Sequence, residues 1–197
     1  MGTEVAMTPE PAVRRVSSRV VYENRWMTVR EDLVQRADGS RGIYGVVEKD
    51  DYALVIPAER DGFHMVEEYR YPIGRRTWNF PQGSHPDHRG GAPEALARRE
   101  LAEETGLRAA TLTPLGRLHS SHGTSSQGVH VFLATGLTPG EHAREPEEQD
   151  MRQRFVTREE FKRLVRAGEI TDDATVAAYA LLLLHEEDGP AAPAAPA

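Results

Sequence analysis

Three carboxylates fall within five residues of one helical stretch, Arg99-Glu100-Leu101-Ala102-Glu103-Glu104-Thr105-Gly106-Leu107. On a helix, positions 100 and 104 lie one turn apart on the same face with 103 beside them, and like charges so placed repel. A solvated amphipathic face would carry a similar charge pattern. A chain that keeps three acids together at the edge of an apolar stripe (Leu96, Ala97, Leu101) instead expects a positive group over them. Three convergent oxygen donors suit a hard divalent cation such as Mg2+ or Mn2+. The stretch also constrains the local fold. Pro93 fits a first helical position, Glu94 the favourable end of the dipole and Gly106 a helix stop, so a helix is predicted from about Pro93 to Thr105.

Around this helix the pattern is mostly strand. Val16 to Tyr22, Trp26 to Val34, Gly42 to Glu48, Tyr52 to Pro57 and Phe63 to Tyr71 read as strands separated by turns such as Asp38-Gly39-Ser40 and Asp61-Gly62. Trp78-Asn79-Phe80 is a short strand leading into a loop at Gly83. Leu112 to Leu118, Val129 to Thr135 and Arg152 to Val156 follow as strands. A helix opens at the capping-box pattern Thr157-Arg158-Glu159-Glu160 and ends near Gly168, and a last helix spans about Asp172 to His185. Strands, a helix, strands and two helices predict an α/β fold with a mixed sheet between helices.

Composition narrows the function. A net charge of -7, from 24 basic and 31 acidic residues, argues against a nucleic-acid backbone binder. Zero cysteines exclude disulfides, thiolate metal sites and cysteine nucleophiles. No apolar run reaches the ~18 residues of a membrane span, and the first fifteen residues lack an apolar signal core, so a cytoplasmic protein is expected. Residues 1–14 and the Ala/Pro-rich 188–197 are expected to be disordered, leaving 15–187 as the folded domain.

The helical stretch resembles the box of the Nudix hydrolases: a Gly, five residues, a Glu, seven residues, then Arg-Glu-apolar-x-Glu-Glu-x-Gly-apolar. The second half matches from Arg99 to Leu107 without a gap. The first half departs: Gly83 lies two residues too far upstream, and the position eight before Arg99 is Gly91 rather than Glu. The resemblance implies a Nudix-type α/β/α sandwich. The strands within 15–48 are similar to the extra N-terminal antiparallel sheet of dimeric ADP-ribose pyrophosphatase-like members, which implies a homodimer.

By the same resemblance, Glu100, Glu103 and Glu104 are metal ligands and catalytic residues, Arg99 orients a box carboxylate, and the backbone carbonyl of Gln82 is a further ligand. Arg70, in Val66-Glu67-Glu68-Tyr69-Arg70-Tyr71-Pro72, corresponds to a substrate-contacting arginine of the ADP-ribose and nucleotide-sugar branch. Trp78 and Phe80 either stack a base or pack in the core. His122, in the loop after the box, is available to a phosphate or ribose, while His119 and His122 have zinc spacing but lack a third ligand. Glu147 and Glu148, in Glu145-Pro146-Glu147-Glu148-Gln149-Asp150, are the candidates for the catalytic base. The reaction implied is metal-dependent hydrolysis of the diphosphate linkage of a nucleoside diphosphate derivative, ADP-ribose or a nucleotide sugar. The alternatives left open are a sensor that binds such a molecule without turnover, a dinucleoside polyphosphate or cap-type hydrolase, and a structural interaction domain.

Overall fold

The computed structural model describes residues 11–85, 91–141 and 150–189, which form two compact units. The first comprises the N-terminal segment to Lys49 together with residues 121–126. Its three strands, β1 (Val13–Asn24), β2 (Met27–Arg36) and β3 (Arg41–Glu48), make an antiparallel sheet in the order β1-β2-β3. All three predicted N-terminal strands therefore belong to one separate sheet. Val34 is buried, but β1 leaves Val13, Val16, Val20, Val21 and Tyr22 exposed. The segment 121–126 joins this unit through Val47 N–H to the Thr124 carbonyl (2.8 Å) and the Tyr44 hydroxyl to the Gly123 carbonyl (2.8 Å).

The second unit is built on β4 (Tyr52–Glu59) and β9 (Gly128–Pro139), which pair in parallel from Tyr52↔Val129 to Pro57↔Ala134. β8 (Leu107–His119) flanks β9 antiparallel, and β5 (Gly62–Arg70) turns back from β4 through a short hairpin. β5 then pairs with β10 (Arg152–Thr157) and β6 (Arg75–Asn79), so the sheet runs β10-β5-β4-β9-β8 with β6 added on β5. β7 (Gln82–Ser84) pairs with the first half of β4, Leu54↔Gln82 to Tyr52↔Ser84. The sequence reads this segment as loop. It becomes strand because β5 leaves β4 after two residue pairs and exposes a row of backbone groups that need partners.

β4 is apolar and buried from Ala53 to Pro57 because both of its faces are covered there. Ala53 and Val55 pack with Leu96, Ala97 and Leu101 of α1 (Pro93–Thr105). Leu54 and Ile56 face a second cluster with Phe63, Phe80, Phe161, Leu164, Ala178 and Leu182, supplied partly by α2 (Arg158–Arg166) and α3 (Asp173–Glu187). Both of those helices carry side-chain caps: Thr157 accepts from Glu160 N–H and Asp172 from Thr175 N–H. Glu160 does not return the bond to complete a capping box; its carboxylate pairs with Arg154 at 2.7 Å. The other helix and strand boundaries lie within about three residues of the sequence reading, except that β9 runs on to Pro139 and β8 begins five residues earlier than Leu112, because Gly106, at φ 68°, turns the chain directly from α1 into the strand. Among the described residues no helix is long and apolar enough to cross a membrane.

Phe161 stacks on Phe80 (5.5 Å, 12°) and meets Phe63 edge-on (5.7 Å, 73°), all three fully buried. Phe161→Ala is expected to cost about 3–5 kcal/mol of stability by emptying this position, read from urea unfolding; a loss below about 1 kcal/mol would mean that the cluster closes over the gap.

Candidate active site

The acidic helix α1 is seated on β4 by its apolar stripe, and this places part of its acidic edge inside the protein. Glu100 is 4 % exposed and Glu104 2 %. Buried carboxylates are costly unless they are paired and hydrogen-bonded. Arg99 supplies much of the compensation: its Nη2 donates to Glu100 Oε1 at 2.9 Å and its Nε lies 3.3 Å from Glu103 Oε2. The Ser84 carbonyl accepts from the same Nη2 at 3.2 Å, tying the guanidinium to the end of β7. Arg99 thus joins Glu100 and Glu103.

β7 supplies the floor. A Cβ placed on Gly83 would fall 2.4 Å from Glu100 Oε2 and 2.7 Å from its carboxyl carbon. No side chain at 83 is therefore compatible with Glu100 in this position. The backbone does not itself require glycine there, since Gly83 is not among the residues with positive φ.

Whether these residues fit a divalent cation turns on their donors. Glu100, Glu103 and Glu104 present only carboxylate oxygens on one helical turn, the hard donors that Mg2+ and Mn2+ take. Among the described residues no three His, Asp or Glu side chains are drawn together around one point, and two of the three acids here turn to Arg99. The donor chemistry fits; the side-chain arrangement is that of the pairs with Arg99.

The remaining predicted residues are distributed as follows. Gln82 lies in β7 beside Gly83, and its side-chain amide donates to Asp172 Oδ2 at 3.2 Å, linking the box entry to the N-cap of α3. Arg70 ends β5 and pairs with Glu68 at 2.6 Å, with 41 % of its side chain exposed. Trp78 is half-buried beneath the Arg154 guanidinium, 4.5 Å from its ring centre. Phe80 is fully buried, so of its two expected roles it takes core packing and is unavailable to a substrate. Trp78, two residues earlier on the same side of the chain, packs at the edge of the same cluster and stays partly exposed. His122 is exposed in the 121–126 segment of the first unit. Glu147 and Glu148 lie outside the described residues, but the acidic stretch they belong to ends at Asp150, which is held by Arg76: Nη1 to Oδ2 at 2.6 Å and Nη2 to the carbonyl at 2.8 Å.

Several polar residues near the start of β4 escaped the sequence reading. Asp51 accepts from Gly128 N–H (2.6 Å) and Arg117 Nε (3.0 Å) and contacts His130 Nε2 (3.3 Å). Burial pushes its carboxyl up, but the Gly128 amide and the Arg117 guanidinium outweigh burial and hold it below the usual carboxylate range. Tyr52 hydrogen-bonds Ser120 Oγ at 3.0 Å, and burial raises its phenol. A recess of about 220 Å³ is lined by Asp50, Asp51, His85, Gly91, Leu96 and His130 among others. In the sequence, Asp51 follows Lys49-Asp50 without any mark of an ion-pair hub.

Comparison with known proteins matches both units. Residues 13–47 match the nucleoside diphosphate sugar hydrolase N-terminal domain, and residues 49–179 match the NUDIX domain. The chain is 34% identical over 164 residues to an ADP-ribose pyrophosphatase of Mycobacterium tuberculosis (strain ATCC 25618 / H37Rv), covering 82% of this chain and 79% of that one. It is 29% identical over 175 residues to an ADP-ribose pyrophosphatase of Bacillus subtilis (strain 168), covering 88% and 94%. A methanol dehydrogenase activator of Bacillus methanolicus is 26% identical over the same coverage. The solved structure of an ADP compounds hydrolase superposes with a TM-score of 0.79 at 20% identity, over 93% of this chain and 99% of that one, a likeness of fold.

Gly83→Ala is expected to push Glu100 off β7 while leaving the apolar contacts of α1 intact. Mn2+ titration followed by electron paramagnetic resonance should then read about a tenfold weaker affinity. Unchanged affinity would mean that Glu100 holds no cation.

Proposed function

Because the chain belongs to the Nudix family, whose domain spans residues 49–179, we propose that it hydrolyses the diphosphate linkage of ADP-ribose or a nucleotide sugar to a nucleoside monophosphate and a sugar phosphate. The observation that carries this reading is the helix α1 itself. Its Arg99-to-Leu107 sequence is complete, its two acids Glu100 and Glu104 are buried at the sheet, and Arg99 is bound to Glu100 and Glu103. The relatives named ADP-ribose pyrophosphatase support the substrate class.

Nudix hydrolases work with divalent metal ions, and Mg2+ or Mn2+ held by Glu100, Glu103 and Glu104 with the Gln82 carbonyl would supply neutralisation of the phosphate charge. The chain's own residues do the rest. Arg99 orients Glu100 and Glu103 through its Nη2 and Nε. Arg70 exchanges Glu68 for phosphate oxygens, which match its fork of donors better than a single carboxylate oxygen does. Glu147 or Glu148 takes the proton of the attacking water. The water oxygen forms a bond to phosphorus as the bridging P–O bond breaks, and the electron pair leaves on the departing phosphate. His122 is a contact for phosphate or ribose.

A homodimer fits the same reading. The exposed Val13, Val16, Val20, Val21 and Tyr22 give β1 an apolar surface of the kind that natural sheets rarely leave uncovered. Sedimentation equilibrium is expected to give twice the 21.9 kDa chain mass; a monomer at micromolar concentration would refute the dimer.

The enzymatic reading is tested with ADP-ribose, GDP-mannose and diadenosine polyphosphates, with and without Mg2+ or Mn2+. Metal-dependent release of AMP from ADP-ribose is expected, and Glu104→Gln should lower kcat by about a hundredfold or more with an unchanged unfolding midpoint. Binding of these molecules without turnover would replace the enzyme with a sensor, the reading that Gly91 favours. Near-normal turnover by Glu104→Gln would remove Glu104 from the chemistry.

A further inference from the structure

Gly91 stands where the Nudix pattern has a glutamate, and its own backbone does not demand glycine, because it is not among the residues with positive φ. What a side chain there would displace is the imidazole of His85. A Cβ on Gly91 would lie 2.5 Å from His85 Nε2, 2.8 Å from Cε1 and 3.3 Å from Cδ2. The opposite edge of the ring faces the acidic helix, with Nδ1 at 3.5 Å from Arg99 Nη1. His85 is therefore a wedge between Gly91 and the arginine that holds Glu100 and Glu103.

The chemistry of the two partners fixes the roles. Arg99 is a donor only, so Nδ1 accepts and the ring is neutral with its proton on Nε2. That nitrogen is buried with no hydrogen-bond partner among the described residues. A buried donor left unmatched needs a reason, and the contact made by the other edge provides one. The Ser84 carbonyl at 3.2 Å and His85 Nδ1 together hold the Nη end of the guanidinium, so that Nη2 meets Glu100 and Nε meets Glu103.

We propose that His85 is a positioning residue that takes the place of the missing acid at 91, holding Arg99 against Glu100 and Glu103 with a neutral acceptor in place of an anion. The longer loop and the glycine are then one adaptation: the ring enters from the upstream side and needs the room that Gly91 leaves. The cation site keeps one negative charge fewer than an acid at 91 would give it. This rests on the reading of α1 as the metal-holding catalytic helix.

The test uses the full chain as wild type, His85→Ala, Gly91→Glu and the double variant, with Mn2+ affinity from electron paramagnetic resonance and kcat and KM on ADP-ribose. His85→Ala is expected to weaken Mn2+ binding and lower kcat by about tenfold each, with KM within twofold. In that background Gly91→Glu should restore both to within about threefold of wild type, because a carboxylate now fills the vacated space; the two changes are strongly non-additive. His85→Asn, which keeps a hydrogen-bonding group near the Nδ1 position, should stay near wild type and serves if His85→Ala fails to fold. Wild-type values for His85→Ala, or a double variant as weak as His85→Ala, would overturn the proposal. In the metal-free protein the 15N shifts of His85 should place its proton on Nε2, and a proton on Nδ1 would overturn the proposal whatever the activity. Absence of turnover by the wild type would sink the catalytic reading alone, leaving the Mn2+ affinities and the tautomer to decide the role of His85.

Discussion

Burial of acids on one helix governs how the second unit is put together. α1 packs on β4 through Leu96, Ala97 and Leu101, and the same rotation carries Glu100 and Glu104 below the surface. Two carboxylates in that position repel each other and lose their water, a cost that apolar packing alone would not offset. Arg99, one residue before Glu100, returns its guanidinium over the pair-forming acids and anchors it on the Ser84 carbonyl. The arrangement holds only because β7 passes beneath with glycine at 83. Helix, short strand and arginine therefore depend on one another, and the chemistry proposed for the site uses the same three parts.

The parallel pair β4 and β9 makes this possible. It is covered on one face by α1 and on the other by Phe63, Phe80, Phe161 and the α3 residues Ala178 and Leu182. β5 departs from β4 after the hairpin and leaves its first half to β7. That departure positions the box entry: Gln82 reaches the N-cap Asp172 of α3, and Phe80 N–H donates to Thr175 Oγ1 at 3.0 Å in the first turn of the same helix. The entry segment is thus tied to the sheet, to α1 through Ser84 and to α3.

The two units divide the labour. The second carries the acidic helix, Arg70 and the clamp on Asp150; the first carries a sheet whose outer strand leaves its valines exposed and, through residues 121–126, the His122 segment. An insertion from between β8 and β9 joining the N-terminal sheet, through Val47 and Tyr44, has no signature in the sequence. It arises from backbone groups of β3 that pair with a segment distant in the chain.

How much could be read beforehand follows from the range of each interaction. The limits of α1 were legible, because Pro93 and Gly106 act on their own backbone and the acids recur at helical spacing. So were most of the strands and the family to which Arg99 through Leu107 points. The short strand β7 was not, since its hydrogen bonds are offered by a strand nearly thirty residues earlier. Nor was the fate of Phe80, whose stack on Phe161 joins positions 81 residues apart. Asp51 became an ion-pair hub only when Arg117, Gly128 and His130 met it at the ends of neighbouring strands. Gly91 read as a lost acid, and nothing in the sequence singled out His85. By itself the sequence determined the elements and the donor chemistry, which are matters of neighbours along the chain; which carboxylates are buried, which ring fills the space at 91 and which aromatic is core were decided by packing between elements that only the folded structure brings together.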